Sequence, residues 1–138
     1  MLHNLRFATA LHIMVLAQLD DTLRWLPSEY IASSIQINAS VVRKEIASLK
    51  AASLLVSKEG KGGGIRINTE LEDITLADIY LSTKQNELPG KFNNPNPACI
   101  VGKNINSKLQ VLYQEVDTDI IRHLEKIKLR DFSNTFNT

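Results

Sequence analysis

One cysteine stands in the 138-residue chain, at position 99. No intrachain disulfide is possible, which excludes the small secreted scaffolds stapled by such bonds. Charge of a single sign is lacking too: 16 Lys+Arg meet 15 Asp+Glu, a net charge of +1. A protein that binds a polyanion with its whole surface is usually strongly basic, so the average speaks against one. Long apolar runs are missing. The longest uncharged stretch with apolar weight, residues 7–19, is interrupted by His12 and Gln18 and is too short to span a bilayer. Only His3 and Arg6 precede it, no small-x-small cleavage site follows, and Asp20-Asp21 comes next, so it does not read as a signal peptide. The expected location is the cytoplasm, with no membrane partner. Aromatics are 6% of the chain, and Trp25, Tyr30, Tyr80 and Tyr113 are too dispersed for a cofactor box. No Ser-His-Asp, paired-carboxylate or metal-ligand constellation stands out, so an enzyme is not expected. What is present is 43% apolar and 22% charged residues, the make-up of one soluble domain or a small domain with an extension.

Periodicity then orders the chain. Residues 5–19 are rich in Ala, Leu and Met without Gly or Pro, which favours helix; apolar residues lie nearly all round it, the pattern of a helix covered on more than one side. Pro27-Ser28 opens a short helix through Ile31, Ala32 and Ile35, with Ser28 as the expected N-cap. Gln36-Ile37 reads as a tight turn and Asn38 as a second N-cap. Over residues 40–52, Val42, Ile46, Leu49 and Ala52 form one face of a third helix, opposite Ser40, Arg43, Lys44 and Ser48. Two short helices around a tight turn match a helix-turn-helix. Residues 54–57 and 65–67 read as strands around a glycine-rich connector, hence a hairpin, and a hairpin after a helix-turn-helix is the element order of a winged helix. Thr75 and Asp78 fit a capping box that starts a helix to about residue 81. A long polar loop over residues 83–97 follows, of the kind that is usually functional or disordered. Finally Ile105, Leu109, Leu112, Val116, Ile120, Leu124 and Ile127 recur every three or four residues, one stripe of a long helix that either packs on its own domain or, as the favoured expectation, pairs with its copy in a second subunit. Residues 131–138 are expected to fray. The fold class is therefore mainly α with a small β-hairpin wing. The expected division is a winged helix-turn-helix domain (1–82), a loop or sensor region (83–104), a dimerisation helix (105–130) and a tail (131–138).

The near-neutral total hides an asymmetry. Residues 38–68 carry Arg43, Lys44, Lys50, Lys58, Lys61 and Arg66 against Glu45 and Glu59; residues 69–89 carry Glu70, Glu72, Asp73, Asp78 and Glu87 against Lys84. Basic charge on an exposed helix and a hairpin tip is what phosphate neutralisation needs. The glycine run at 60–64 fails the phosphate-loop and dinucleotide patterns, since Gly62 follows Gly60-Lys61 and Ile65 stands where a third glycine would be needed. It reads as a turn needing positive φ, with room for a phosphate to approach the backbone.

Ile31-Ala32, Ile37 through Lys44, Leu49-Lys50, Leu54-Leu55-Val56-Ser57, Gly60-Lys61-Gly62-Gly63-Gly64-Ile65-Arg66-Ile67, Thr75 to Ile79 and Asn96 to Gly102 together resemble the Rrf2 family of bacterial winged-helix regulators. The Gly-x-Gly-Gly-Gly wing after a Leu-Val-Ser strand is the most specific part. Two departures are Glu59, where an Arg is common, and Ser53, where a Gly often ends the recognition helix. The resemblance implies a homodimeric repressor on double-stranded DNA with a palindromic operator. It places Asn38, Ser40, Val41, Arg43 and Lys44 on the helix that enters the major groove, with Arg43 suited to read guanine. Ser28, Lys58, Lys61, Gly62, Gly63 and Arg66 would hold phosphates. A winged helix serving only protein contacts is the alternative.

Several members of the resembled family hold an iron–sulfur cluster through three cysteines in the loop before the last helix. One cysteine per chain cannot supply the four thiolates a cluster commonly takes, and a zinc site fails on the same count, so no cofactor is expected. Cys99 itself has two readings: a small apolar filler, or a redox sensor whose thiol is activated near a helix start. A small ligand held by the loop is a third route to regulation.

Overall fold

The computed structural model describes residues 5–20, 24–84 and 86–136. In chain order the elements are α1 (Leu5–Leu19), α2 (Ser28–Ile35), α3 (Ala39–Ala51), β1 (Leu55–Lys58), β2 (Gly64–Ile67), α4 (Leu76–Lys84), α5 (Ile100–Glu125) and α6 (Leu129–Asn134). The α-rich fold with one hairpin is the one the periodicity predicts.

The all-round apolar character of α1 is used as the sequence implies. Ala10, Ile13 and Met14 are fully buried, and the helix packs against α2, α3, α4, α6 and β2. Around it, Ile31, Val42, Leu49, Leu55, Ile65, Ile79 and Tyr80 complete one core. Apolar area removed from water at about 25 cal/mol per Å² is the term that holds such a domain together.

Two short helices need a sharp turn between them, and Gln36 supplies it at φ 62°, ψ 49°, its N–H bonding Ala32 O at 2.8 Å. Asn38 caps α3, its side chain accepting the Ser40 N–H at 2.8 Å. Ser28 does not cap α2. The extended residue is Pro27, whose carbonyl accepts the N–H groups of Tyr30 and Ile31, and Ser28 is the first helical residue. Ala52 is exposed and lies past the end of α3, so the buried face of that helix ends at Leu49.

The chain leaves α3 through Ser53 at φ 62°. Here the resembled family often has Gly, and the backbone shows why: this is a left-handed position, which costs an L-residue roughly 1–2 kcal/mol. Ser53→Gly relieves that cost but gives the unfolded chain more freedom. The net expectation is a gain of about 0.5 kcal/mol, read as a small rise in Tm by calorimetry; a lowered Tm would contradict it.

The hairpin pairs Leu55 with Ile67, Val56 with Arg66, Ser57 with Ile65 and Lys58 with Gly64. Leu26 adds a third, one-residue rung, exchanging both backbone bonds with Ile65 at 2.8 and 2.9 Å. The capping box forms as predicted: Asp78 Oδ2 accepts the Thr75 N–H at 2.9 Å, and Thr75 Oγ1 accepts the Asp78 N–H at 3.3 Å. α4 nevertheless runs on to Lys84, because Thr83 is buried and its hydroxyl bonds Tyr80 O.

Three expectations about the C-terminal half are corrected. First, α5 starts at Ile100, five residues before the predicted stripe. Second, the stripe is not one surface. Leu124 is in the chain's own core, and Ile127 lies beyond α5, its carbonyl accepting the Leu76 N–H at 2.9 Å. Third, the residues expected to fray contain most of α6; of that stretch, 137 and 138 lie outside the described residues. Leu129 is 1% and Ser133 0% exposed, α6 packs on α1, and Lys128 and Arg130 both approach Asp73. Too few apolar residues fall in this six-residue helix for periodicity to reveal it; its partner is α1, far away in sequence.

The long loop is folded back on α5. Tyr113 Oη donates to Lys91 O at 2.8 Å, its ring meets Phe92 at 5.5 Å, and Asn106 Nδ2 donates to Asn93 O at 2.9 Å. Gly90 is the close-approach residue there, since a Cβ would lie 2.3 Å from the Tyr113 ring.

Candidate nucleic-acid interface

Because Val42, Ile46 and Leu49 turn inward, the geometry of a helix turns Ser40, Val41, Arg43, Lys44, Ala47 and Lys50 outward, and all six are exposed. One carboxylate on α3 breaks the pattern. Glu45 is 3% exposed, and Arg6 of α1 holds it, Nε to Oε1 at 2.9 Å, while Nη2 reaches Ser48 Oγ at 3.3 Å. Ser48 therefore faces α1 rather than the exposed basic face. Sequestering Glu45 leaves the exposed side of α3 with Arg43, Lys44 and Lys50 as its charges.

Between α3 and the hairpin runs an open groove of about 370 Å³. Arg43, Ala47 and Lys50 form one wall, Lys58, Glu59 and Gly63 the other, and Ser28 and Glu29 at the start of α2 close one end. Of the predicted site residues, Ser28, Arg43, Lys58 and Gly63 line this groove. Asn38 is exposed at the N-cap of α3, Ser40, Val41 and Lys44 lie on the exposed first half of that helix, and Lys61 and Gly62 at the exposed tip of the wing. Arg66 is not brought to the groove. It stacks on Trp25, with its guanidinium carbon 4.0 Å from the ring centroid, beside Asp20 and Arg24. The cause is strand alternation: Ile65 lines the groove floor, so its neighbour points to the other face.

Lys50 and Ala47 belong to the groove as well, although neither is among the contacts expected from the sequence. The signal was there: Arg43, Ala47 and Lys50 are spaced four and three, one helical face. Glu29 and Glu59 also line the groove, so its charge is moderate, three cations against two carboxylates.

The glycines divide their work. Gly60 and Gly62 have φ of 87° and 76°, and a Cβ on either would meet nothing within 4 Å, so they serve the turn. Gly64 serves a close approach within the chain: a Cβ would lie 2.1 Å from Leu26 O.

Cys99 is exposed at the N-cap position of α5, extended at φ −84°, ψ 134°. The backbone N–H groups of Gly102, and secondly of Val101, hold its thiol below the usual range by stabilising the thiolate. Its alkylation by iodoacetamide is therefore expected to reach half-maximal rate at lower pH in the folded chain than in urea. Coincident pH profiles would contradict this.

The exposed apolar residues of α5 lie mostly towards its start and middle: Ile100, Val101, Val111, Leu112 and Val116. Ile105, Leu109 and Ile120 are half-buried. Among the described residues, no helix is long and apolar enough to cross a membrane.

Residues 3–135 match the Rrf2 family, described as iron-dependent transcriptional regulators. The chain is 36% identical over 132 residues to YwnA of Bacillus subtilis strain 168, assigned as a helix-turn-helix transcriptional regulator; the match covers 95% of this chain and 96% of that one. A solved structure assigned as a DNA-binding protein has a TM-score of 0.70 at 31% identity, covering 92% and 97%. CymR, the global cysteine regulator of B. subtilis, has the same fold at TM-score 0.68 and 18% identity, covering 96% and 95%. The donors present do not fit an iron–sulfur cluster. The chain has one thiol, and among the described residues no three His, Cys, Asp or Glu side chains are grouped to hold a metal.

Proposed function

The chain belongs to the Rrf2 family of transcriptional regulators, and on that basis we propose that this DNA-binding regulator, which is not an enzyme, acts as a cytoplasmic homodimeric repressor on a palindromic operator, without an iron–sulfur cluster. The observation that carries the reading is the groove between α3 and the wing, with Arg43 and Lys50 on one wall and Lys58 on the other. A helix of this exposure fits the major groove, and the hairpin then reaches the flanking backbone. Arg43 reads a base edge; Lys58 and Lys61 neutralise phosphates. Ser28 lies at an α2 N-terminus suited to a phosphate oxygen. Two copies joined through α5 present two α3 helices, and a twofold protein favours a palindromic site.

The test is titration of duplexes selected by the wild type, against scrambled duplexes, over a salt series. Arg43→Ala is expected to cost about 1–3 kcal/mol per half-site on the selected duplex and much less on the scrambled one. Lys61→Ala, which removes one phosphate contact from each half of the dimer, should weaken both alike and lower the salt slope by about two. Equal loss on both duplexes for Arg43→Ala would remove its base-reading role. Salt-independent or absent DNA binding would favour a protein-interaction module instead.

Cys99 is the proposed input, favoured by its exposure at a helix start. Its thiolate attacks one oxygen of a peroxide, the O–O bond breaks, hydroxide leaves, and a sulfenic acid remains. Peroxide is expected to change operator affinity in the wild type and not in Cys99→Ser; an equal response in both excludes the thiol.

A further inference from the structure

Asp117 sits well inside α5, yet it is only 7% exposed. Both of its carboxylate oxygens are used by α4: Tyr80 Oη donates to Oδ1 at 2.6 Å, and Lys84 Nζ to Oδ2 at 2.6 Å. Tyr80 and Lys84 are four residues apart, so one face of α4 supplies both donors. Burial, together with the bond to Asp117, raises the Tyr80 phenol well above its usual range, so it stays a proton donor. One turn on, Ile120, Ile121 and Leu124 of α5 pack against the apolar core. Apolar contact is non-directional and leaves two helices some freedom to slide or roll. Two short bonds to one carboxylate have preferred angles and do not.

The joint continues to the DNA face. The Tyr80 ring meets Phe7 edge-on, centroids 5.9 Å apart at 73°. Phe7 is the neighbour of Arg6, which holds Glu45 and Ser48 of α3. Asp117, Tyr80, Phe7, Arg6 and Glu45 thus form one contiguous line from the long helix to the helix that carries Arg43. Buried polar joints of this kind are weak contributors to net stability, and fixing a register is their best-attested use.

Building on the dimeric DNA-binding reading, we propose that Asp117, through Tyr80 and Lys84, is a positioning residue that sets how far apart the two α3 helices stand in the dimer, and so which half-site spacing the protein accepts. α5 carries the contact between copies and α3 the contact with DNA. A roll of α4 on α5 therefore moves each α3 relative to the twofold axis, and the two displacements add. One base pair of spacing is about 3.4 Å along the duplex and about a tenth of a turn, a shift that a small roll produces at the far side of the domain.

The experiment uses the full-length chain. Wild type selects an operator from random-sequence duplex, and its two half-sites are then resynthesised with the spacer changed by one or two base pairs. The triple variant Tyr80→Phe, Lys84→Met, Asp117→Leu replaces the network by apolar groups of similar size. Lys84→Met alone is the milder variant. Wild type is expected to prefer one spacing by about tenfold, and the triple variant, still dimeric, to bind all spacings within about threefold of one another. Lys84→Met should flatten the profile in the same direction. A variant that is weaker at every spacing but keeps the wild-type profile shows a merely structural role and overturns the proposal. If the triple variant does not fold, an unchanged profile for Lys84→Met does the same. A wild type that enriches no sequence overturns the DNA-binding reading and this inference with it.

Discussion

The double variant Leu112→Asp, Val116→Asp is expected to be a folded monomer that has lost most of its operator affinity. Leu112 is 50% and Val116 39% exposed in the single chain, so neither change opens the domain's own core. Surface changes of this kind usually stay within about 0.5 kcal/mol each, and the Tm of the monomer should move little. In the proposed dimer the outcome differs. An apolar contact becomes a cluster of like charges, and a charge buried without a partner is strongly destabilising. The effect on DNA follows from linkage. A dimer places its second α3 at high effective concentration once the first is bound, which raises affinity by about 10²–10⁴ over one half-site. The monomer loses that factor, and about half the slope of affinity with salt, since half the phosphates are contacted. Gln110→Asp, about 200° away from Leu112 round the helix, is the control and should remain a dimer. Sedimentation velocity and operator titration check both. A double variant that still sediments as a dimer would move the interface away from this face of α5.

Gly64→Ala should be strongly damaging to the wing. A Cβ there would stand 2.1 Å from Leu26 O and 2.3 Å from Leu26 C, at a φ of 153°. Both contacts are backbone, so no side chain can swing aside. The rung that Leu26 makes with Ile65 must open, and the hairpin must move away from the start of α2. Forced backbone shifts and an unfavourable φ together cost about 3 kcal/mol, a fall in Tm on the order of 10 °C. Gly62→Ala is the matched comparison: its φ is 76°, but nothing lies within 4 Å, so only the conformational cost of about 1 kcal/mol applies. Calorimetry on the two variants separates close approach from turn geometry. Equal losses would mean that the Leu26 contact is unimportant. Because Lys58 and Gly63 move with the hairpin, Gly64→Ala should also weaken DNA binding at temperatures where it is still folded.

Much of the fold can be read from local pattern. The spacing of Val42, Ile46 and Leu49 marks the inward face of α3, and so the outward position of Arg43. Asn38 and the Thr75–Asp78 pair act as caps because capping depends only on residues within one turn. Ser28 shows the limit of that logic: a cap is chosen by backbone dihedrals, and Pro27 already held the extended conformation. Glu45 shows a second limit. In a charge count it weakens the basic helix; in the fold it is buried against Arg6, 39 positions away, and no longer counts on the surface. Arg66 shows a third: a cation of the basic segment that the strand turns to the face opposite the groove, onto Trp25.

Neighbours along the chain were enough to settle the presence of α1 to α5, the inward face of α3, the caps of α3 and α4, the hairpin turn, the single thiol, and a basic segment followed by an acidic one. Pairs far apart in the chain settled the rest, and these exist only once it has folded. Folding split the α5 stripe into a core-facing end at Leu124 and an exposed middle at Leu112 and Val116, laid α6 onto α1, strapped the long loop to Tyr113, and buried Asp117 between Tyr80 and Lys84. The physical reason is that periodicity reports only that a face is apolar, whereas the surface that covers it is chosen by packing between distant segments.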